Sequence, residues 1–296
     1  MCFLFLRVRR RRRRQPGRTW HVPQWEPPWV LTQATDSAMK VVASGGMWAH
    51  LSDYWALFLF CFVGGYIDAA GWLGLFGLFT GSITGNLVAA GAAVVFRAGV
   101  IPRLIISGVY VGGAALGGLL WSLLTRCSSL PPRRAMLGLL CLELASLGAL
   151  WVSGALLLPT LVSLDSPNVS FVGSMAALAM GVQAIAVKEG MPGSPSTNVM
   201  TTTLSNCGSL LGAALVAAVE DRAAARTKAA ALAKTFMPIF AFVCGVCLGA
   251  ALQYYIDFHS TCVPVAIVLL LAVELALPLQ EPPALLLVEG AAVAGV

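Results

Sequence analysis

Three carboxylates stand where a chain in a bilayer can least accommodate them. Asp68 lies near the middle of the apolar run Trp55–Phe79, and Glu143 and Glu274 lie inside two later apolar runs. An ionised carboxylate at mid-membrane costs at least about 2.5 kcal/mol. Each therefore needs a proton, a hydrogen-bonding or charged partner, or water beside it. Just beyond Asp68 come Thr80, Thr84, Gly85 and Asn86. Threonine and asparagine cap the free N–H groups of a helix start, and glycine admits close approach of backbone or ligand. A helix start inside the membrane also presents the positive end of its dipole to an anion or dipole.

A second polar break is denser. Ser194, Ser196, Thr197, Asn198, Thr201, Thr202, Thr203, Ser205 and Asn206 put nine polar side chains within thirteen positions. Pro192 and Pro195 stand at its start and predict an interrupted or late-starting helix. Irregular polar backbone is tolerated at membrane depth only where it is buried in protein or lines a water-filled cavity. This pattern predicts solute-binding residues at Asp68, Thr80, Thr84, Gly85, Asn86, Thr197, Asn198, Thr201, Thr202 and Thr203. Asp68, Glu143 and Glu274 are the candidate proton-coupling groups. Gln183 and Lys188 fall near the end of the fifth apolar run, where Lys188 marks the interface.

Catalysis lacks material. No histidine falls in an apolar run, and there is neither a Gly-x-Ser-x-Gly elbow nor a His-Glu-x-x-His pair. An intramembrane aspartyl protease needs two aspartates on facing helices, and Asp68 is alone. The eight cysteines are scattered, and Cys244 and Cys247 form a CxxC without histidine or acidic partners. They read as small packing groups. No metal site or cofactor is expected.

The elements that position these residues are apolar helices. The 296 residues are 58% hydrophobic and 11% charged, with mean hydropathy +0.83, against about a quarter charged in soluble domains. The formal charge of +6 misleads. Arg7, Arg9 to Arg14 and Arg18 form a basic arm, and the remainder is net acidic, so no nucleic-acid face is expected. Residues 1–50 read as an Arg-, Pro- and Trp-rich extension rather than a domain. Eight runs are long enough to be considered as spans: 55–79, 84–101, 104–124, 135–158, 169–187, 196–219, 236–256 and 263–277. The second has Arg97 within it, and the tail 281–296 is too short to cross.

With the N-terminus inside, eight crossings place Arg97, Arg103, Arg222, Arg226, Lys228 and Lys234 in inner loops. Arg126, Arg133, Arg134 and Lys188 then lie outside, a thin margin for the positive-inside rule. The sequon at Asn168 and Ser170 is expected to face inward.

The chain also repeats itself. Thr84 aligns with Thr201 and Thr80 with Thr197, one residue's slip pairs Gly65 with Gly181, and Gly113 and Gly117 align with Gly245 and Gly249. Glu143 aligns with Glu274. Two membrane repeats, 51–160 and 168–280, follow, each of about four helices. Four full crossings per repeat imply parallel copies, whereas one re-entrant helix per repeat implies inverted ones.

The stretches "GGYIDAAGWLGLFGLFTGSITGN" and "MGVQAIAVKEG" with "TNVMTTTLSN" resemble the YoaK family of multi-pass membrane proteins, domain of unknown function 1275. The resemblance covers about residues 55–280. Its first motif stands here as Gly65, Tyr66, Asp68, Thr84, Gly85 and Asn86. Its second, Thr-Gly-Thr, reads Thr201, Thr202 and Thr203, and its asparagine near the end of the fifth helix is replaced by Ala184 or Ile185. The family supplies a class but no substrate.

The sequence therefore predicts an all-α polytopic bundle whose partners are the lipid bilayer and a small polar or anionic solute. A secondary transporter or permease is the leading function. A non-transporting scaffold or partner-binding subunit is the alternative.

Overall fold

The computed structural model describes residues 47–277 apart from 97, 193, 195–199 and 221. Thr197, Asn198, residues 1–46 of the extension and the tail lie outside the described residues. Among the described residues the chain is helical, with turns and loops between the helices and no strand. Eight α-helices follow in order: α1 Met47–Gly74, α2 Ile83–Phe96, α3 Val100–Ser122, α4 Pro132–Leu157, α5 Pro167–Gly190, α6 Met200–Glu220, α7 Arg222–Ile256 and α8 Cys262–Ala276. A π turn, Leu123–Cys127, extends α3, and 3-10 turns cover Leu158–Thr160 and Asp257–Thr261. The longest helix is α7, with 35 residues and Pro238 inside it.

Among the described residues five stretches are long and apolar enough to cross a membrane: Trp55–Gly74, Val100–Cys127, Pro132–Thr160, Pro167–Gly190 and Arg222–Ala276. The last is interrupted by the turn before α8, so it holds two helices. Ile83–Val95 and Thr202–Ala218 are apolar but shorter. Val88, Val95, Val111, Leu156, Leu215 and Leu270 are more than half exposed, an outer surface suited to lipid. The protein is a multi-pass helical membrane protein.

The first apolar run does not continue as helix to Phe79. Phe76 and Gly77 take positive φ values of 55° and 79°, the left-handed region that ends a helix. Hydropathy reads through this point because Leu75 to Phe79 are themselves apolar apart from Gly77.

Helix directions follow from side-by-side contacts. On α1 and α7, Phe62 meets Gly245, Tyr66 meets Gly249, and Gly74 meets Gln253 and Phe258, so the two run parallel. On α3 and α5, Ile106 meets Gly173, Gly113 meets Leu178, and Gly117 approaches Val182 and Ile185, again in parallel. Between these pairs the sense reverses. Gln183 of α5 reaches the Phe60 carbonyl of α1, while Leu75 lies beside Gly173. Helix α4 is antiparallel to α5, with Met136 against Gly190. It is antiparallel to α8 as well. Arg133 near its start donates to the Glu274 and Leu277 carbonyls at 2.9 and 3.0 Å, and Gly154 near its end meets Phe258.

Thus α1, α4 and α7 run one way, and α3, α5 and α8 the other. This corrects the expectation of eight crossings. Helix α1 ends and α3 begins on one face, because Leu75 and Ile106 both lie at Gly173. The connection through α2 leaves that face and returns to it. Helix α5 ends and α7 begins on the opposite face, so the segment carrying α6 starts and finishes there. Parallel copies would set α4 and α8 running the same way, and they do not.

The same geometry redistributes the charges. Arg126, Arg133, Arg134, Lys188, Arg222, Arg226, Lys228 and Lys234 all lie toward the face where α1 begins. Arg103 is the one described lysine or arginine toward the other face, where its Nη1 donates to Gly99 and Asp165 accepts from the Gly99 N–H at 2.9 Å. Asn168 lies on that second face too, opposite the start of α1 and not beside it as expected.

The core is a continuous apolar cluster from α1, α4, α5 and α8, including Phe60, Tyr66, Leu139, Leu147, Met180 and Leu271. Tyr66 anchors the turn before α8, donating its hydroxyl to the Ser260 carbonyl at 2.8 Å.

Candidate functional site

Asp68 is 5% exposed and lies six residues before the end of α1. After the left-handed residues Phe76 and Gly77, the chain doubles back and lays residues 80 to 82 against this carboxylate. Asp68 Oδ1 accepts the Thr80 N–H at 2.9 Å, the Thr80 hydroxyl at 3.2 Å, the Gly81 N–H at 2.6 Å and the Ser82 N–H at 3.3 Å. The Ser82 hydroxyl donates to Oδ2. Three consecutive backbone N–H groups and two hydroxyls thus converge on one carboxylate immediately before α2 begins.

The physical account is direct. These N–H groups precede the first turn of α2 and have no intrahelical acceptor. Together with the helix dipole they form an anion site, and the chain fills it with its own side chain. Hydrogen bonds to a charged group contribute about 1.5–3 kcal/mol, which offsets the expense of burying a carboxylate.

A second clamp closes the turn. Asn86, fully buried, accepts the Phe79 N–H on Oδ1 at 3.0 Å and donates from Nδ2 to the Phe79 carbonyl. Its side-chain amide thus pairs with both sides of one residue's backbone. Gly85 packs against the Phe79 ring, where a Cβ would come within 2.8 Å of it.

The structure brings Asp68, Thr80 and Asn86 together around the break, with Gly85 beside them. Thr84 is exposed and belongs to neither clamp. Ser82, which donates twice to Asp68, was missed from the sequence, although its place just before Ile83 and Thr84 is a helix-cap signal.

Of the second break, Thr202 is exposed and Thr203 is buried, on the first turn of α6. Thr201 lies on the same turn. Helix α2 packs chiefly on α3 and α6 chiefly on α7. Among the described residues the two short helices share no substantial interface.

A cavity of about 360 Å³ adjoins Asp68, lined by Trp72, Leu73, Phe79 and Ser82 on one side and Phe242, Val246 and Ala250 of α7 on the other. Its wall is apolar except at Asp68 and Ser82.

The matched glutamates differ. Glu143 is fully buried on α4, and Glu274 is exposed near the end of α8. Gln183 is also fully buried and donates Nε2 to the Phe60 carbonyl at 2.9 Å. No group of three or more histidine, cysteine or acidic residues suited to a metal occurs among the described residues.

A family model described as "Protein of unknown function (DUF1275)" matches residues 56–274. No curated protein and no solved structure matches the chain. The matched span takes in every described helix that bears on the site, from α1 to α8, and the chain belongs to the DUF1275 family.

Proposed function

We propose that the protein is a permease for a small polar or anionic solute, built from two inverted copies of a four-helix unit whose second helix is re-entrant. One observation carries this reading. The glycine contacts between α1 and α7 recur, at fixed sequence offsets, between α5 and α3. Gly65 against Phe242, Phe62 against Gly245 and Tyr66 against Gly249 become Gly181 against Tyr110, Leu178 against Gly113 and Val182 against Gly117. The offset is 116 residues from α1 to α5 and 132 from α3 to α7 throughout. Low-complexity apolar sequence matches itself by chance, but chance does not put the matches in corresponding contacts. The antiparallel pairing of α4 with α8 fits an axis in the membrane plane.

Inverted repeats with interrupted helices are the usual frame of secondary transporters, and their half-helix N-termini face the solute. In the first unit that position is taken by Asp68. Counting 116 residues on, the second unit has Ala184, which supplies no carboxylate. The stretch from Ser194 to Asn206, with Thr197, Asn198 and Thr201, is where this reading puts the solute. The basic face, which also holds the start of α1, is cytoplasmic by the positive-inside rule.

A thermal-shift screen of the purified full-length chain against small anions, amino acids and nucleobases identifies the solute, since a ligand of the folded state raises Tm by mass action. Uptake of that solute into proteoliposomes follows. Ala184→Asp should fill the second position from within and abolish both stabilisation and uptake. Uptake no faster than in protein-free liposomes, or unchanged in Ala184→Asp, sinks the reading.

The scaffold alternative has its own support. Both oxygens of Asp68 are satisfied within the chain, and the adjoining cavity is almost wholly apolar. A scaffold predicts no stabilising solute in the screen.

A further inference from the structure

Glu143 and Gln183 are both completely buried, and three of their oxygens have no hydrogen-bond partner: Oε1 and Oε2 of Glu143 and Oε1 of Gln183. Register sets them opposite one another. Met136 of α4 meets Gly190 of α5 in an antiparallel pair. Seven residues along each helix, two turns, return to the same face, at Glu143 on α4 and Gln183 on α5. Gln183 is fixed in orientation by its Nε2 bond to the Phe60 carbonyl. Turning the amide over would set Oε1 against that carbonyl, so the oxygen faces away from α1.

The register thus brings three unpartnered acceptors level between α4 and α5. Three oxygens fall well short of the six to eight that Ca²⁺ takes. A carboxylic acid has one O–H to give and an amide oxygen accepts it. We infer that Glu143 holds a proton and donates it to Gln183 Oε1, forming a buried proton site at the junction of α1, α4 and α5.

No competing charge faces this pair among the described residues. Lys188 and Glu189 of α5 pair with each other at exposed positions. Glu274 of α8 and Asp257 and His259 of the preceding turn are exposed. Arg103 of α3 is held by Gly99, the Tyr110 backbone of α3 lies against Gly181, about 200° round α5 from Gln183, and Asp68 of α1 is bound by residues 80 to 82. Arg126, Arg133 and Arg134 lie toward the basic face. Cys61, next to Phe60, is a buried thiol.

Release of the proton leaves a carboxylate facing an amide oxygen. Gln183 must then either tolerate the repulsion or turn its Nε2 to Glu143 and abandon Phe60. Proton occupancy on α4 is therefore linked to the attachment of α5 to α1, the helix that carries Asp68. This holds whether or not a solute crosses the membrane.

Infrared spectroscopy of the full-length protein in lipid nanodiscs tests it. At neutral pH the wild type should show a C=O band of a protonated carboxylic acid that disappears at high pH and is missing in Glu143→Gln. Gln183→Leu removes the acceptor and should move the band to higher frequency. Absence of a protonated-acid band at neutral pH, or an identical band in Glu143→Gln, overturns the inference. If Glu143→Gln does not fold, Gln183→Leu decides, and an unshifted band is the contrary result.

Discussion

Gly245 lies so close to the Phe62 carbonyl oxygen that a Cβ built on it would overlap that oxygen. No side chain fits between α1 and α7 there, and the same holds one turn on, where Gly249 meets the backbone of Tyr66. In lipid, helices associate through packing and not by expulsion of water, and small residues are what allow it.

Gly245→Val should accordingly destabilise the protein by roughly 1–3 kcal/mol, the range for overpacking. Gly112→Ala and Gly118→Ala should change little, since a Cβ at either position meets nothing within 4 Å. Thermal unfolding of the detergent-solubilised variants, followed by size-exclusion chromatography, compares them. Equal losses at all three positions would deny the close packing its special role.

Asp68→Ala strips the acceptor from three backbone N–H groups at once. Hydrogen–deuterium exchange at Thr80, Gly81 and Ser82 should accelerate, while α4 and α5 stay protected. Stability should fall by roughly 1.5–3 kcal/mol. Unchanged protection at these three amides would show that the turn is held by something else.

Whether α6 crosses or turns back can be read by labelling. In a cysteine-free background, Ala98→Cys and Ser163→Cys should react with an impermeant maleimide from the same side. Ser128→Cys and Lys228→Cys should react from the opposite one. A chain in which α6 crosses places Ala98 with Lys228, so whether those two cysteines are labelled from one side or from opposite sides decides between the two topologies.

Tyr66→Phe keeps the ring packed between α1 and α7 but removes its hydrogen bond to the Ser260 carbonyl. A loss of roughly 0.5–1.5 kcal/mol is expected, measured as a lower Tm with unchanged monodispersity. A loss near zero would mean that water or another donor replaces the hydroxyl.

How much of this was legible beforehand depends on what each residue reveals by type. Every helix overlaps an apolar run, because the part buried in lipid must be apolar, although α7 begins at Arg222, well before its run at 236–256. Asp68, Thr80 and Asn86 stood out for the same reason, being polar where polarity is costly. Direction was not legible. Hydropathy is blind to whether a run crosses the membrane or turns back, and Phe76 is as apolar at φ 55° as it would be in a helix. The aligned glycines suggested a repeat, but only their contacts with Phe62, Phe242, Tyr110 and Leu178 reveal which helices they join. The pairing of Glu143 with Gln183 was hidden as well, since forty positions separate them and the antiparallel register alone brings them level.

At 1.5 Å per residue, α7 is ~52 Å long, whereas the hydrocarbon layer is about 30 Å thick. Roughly 20 Å of it must stand clear of the lipid tails, and that end carries Arg222, Arg226, Lys228 and Lys234. The projecting portion is a handle on the basic side, within reach of anionic headgroups. Any pull on it travels down one continuous rod, past the weak joint at Pro238, to the point where Gly245 touches α1.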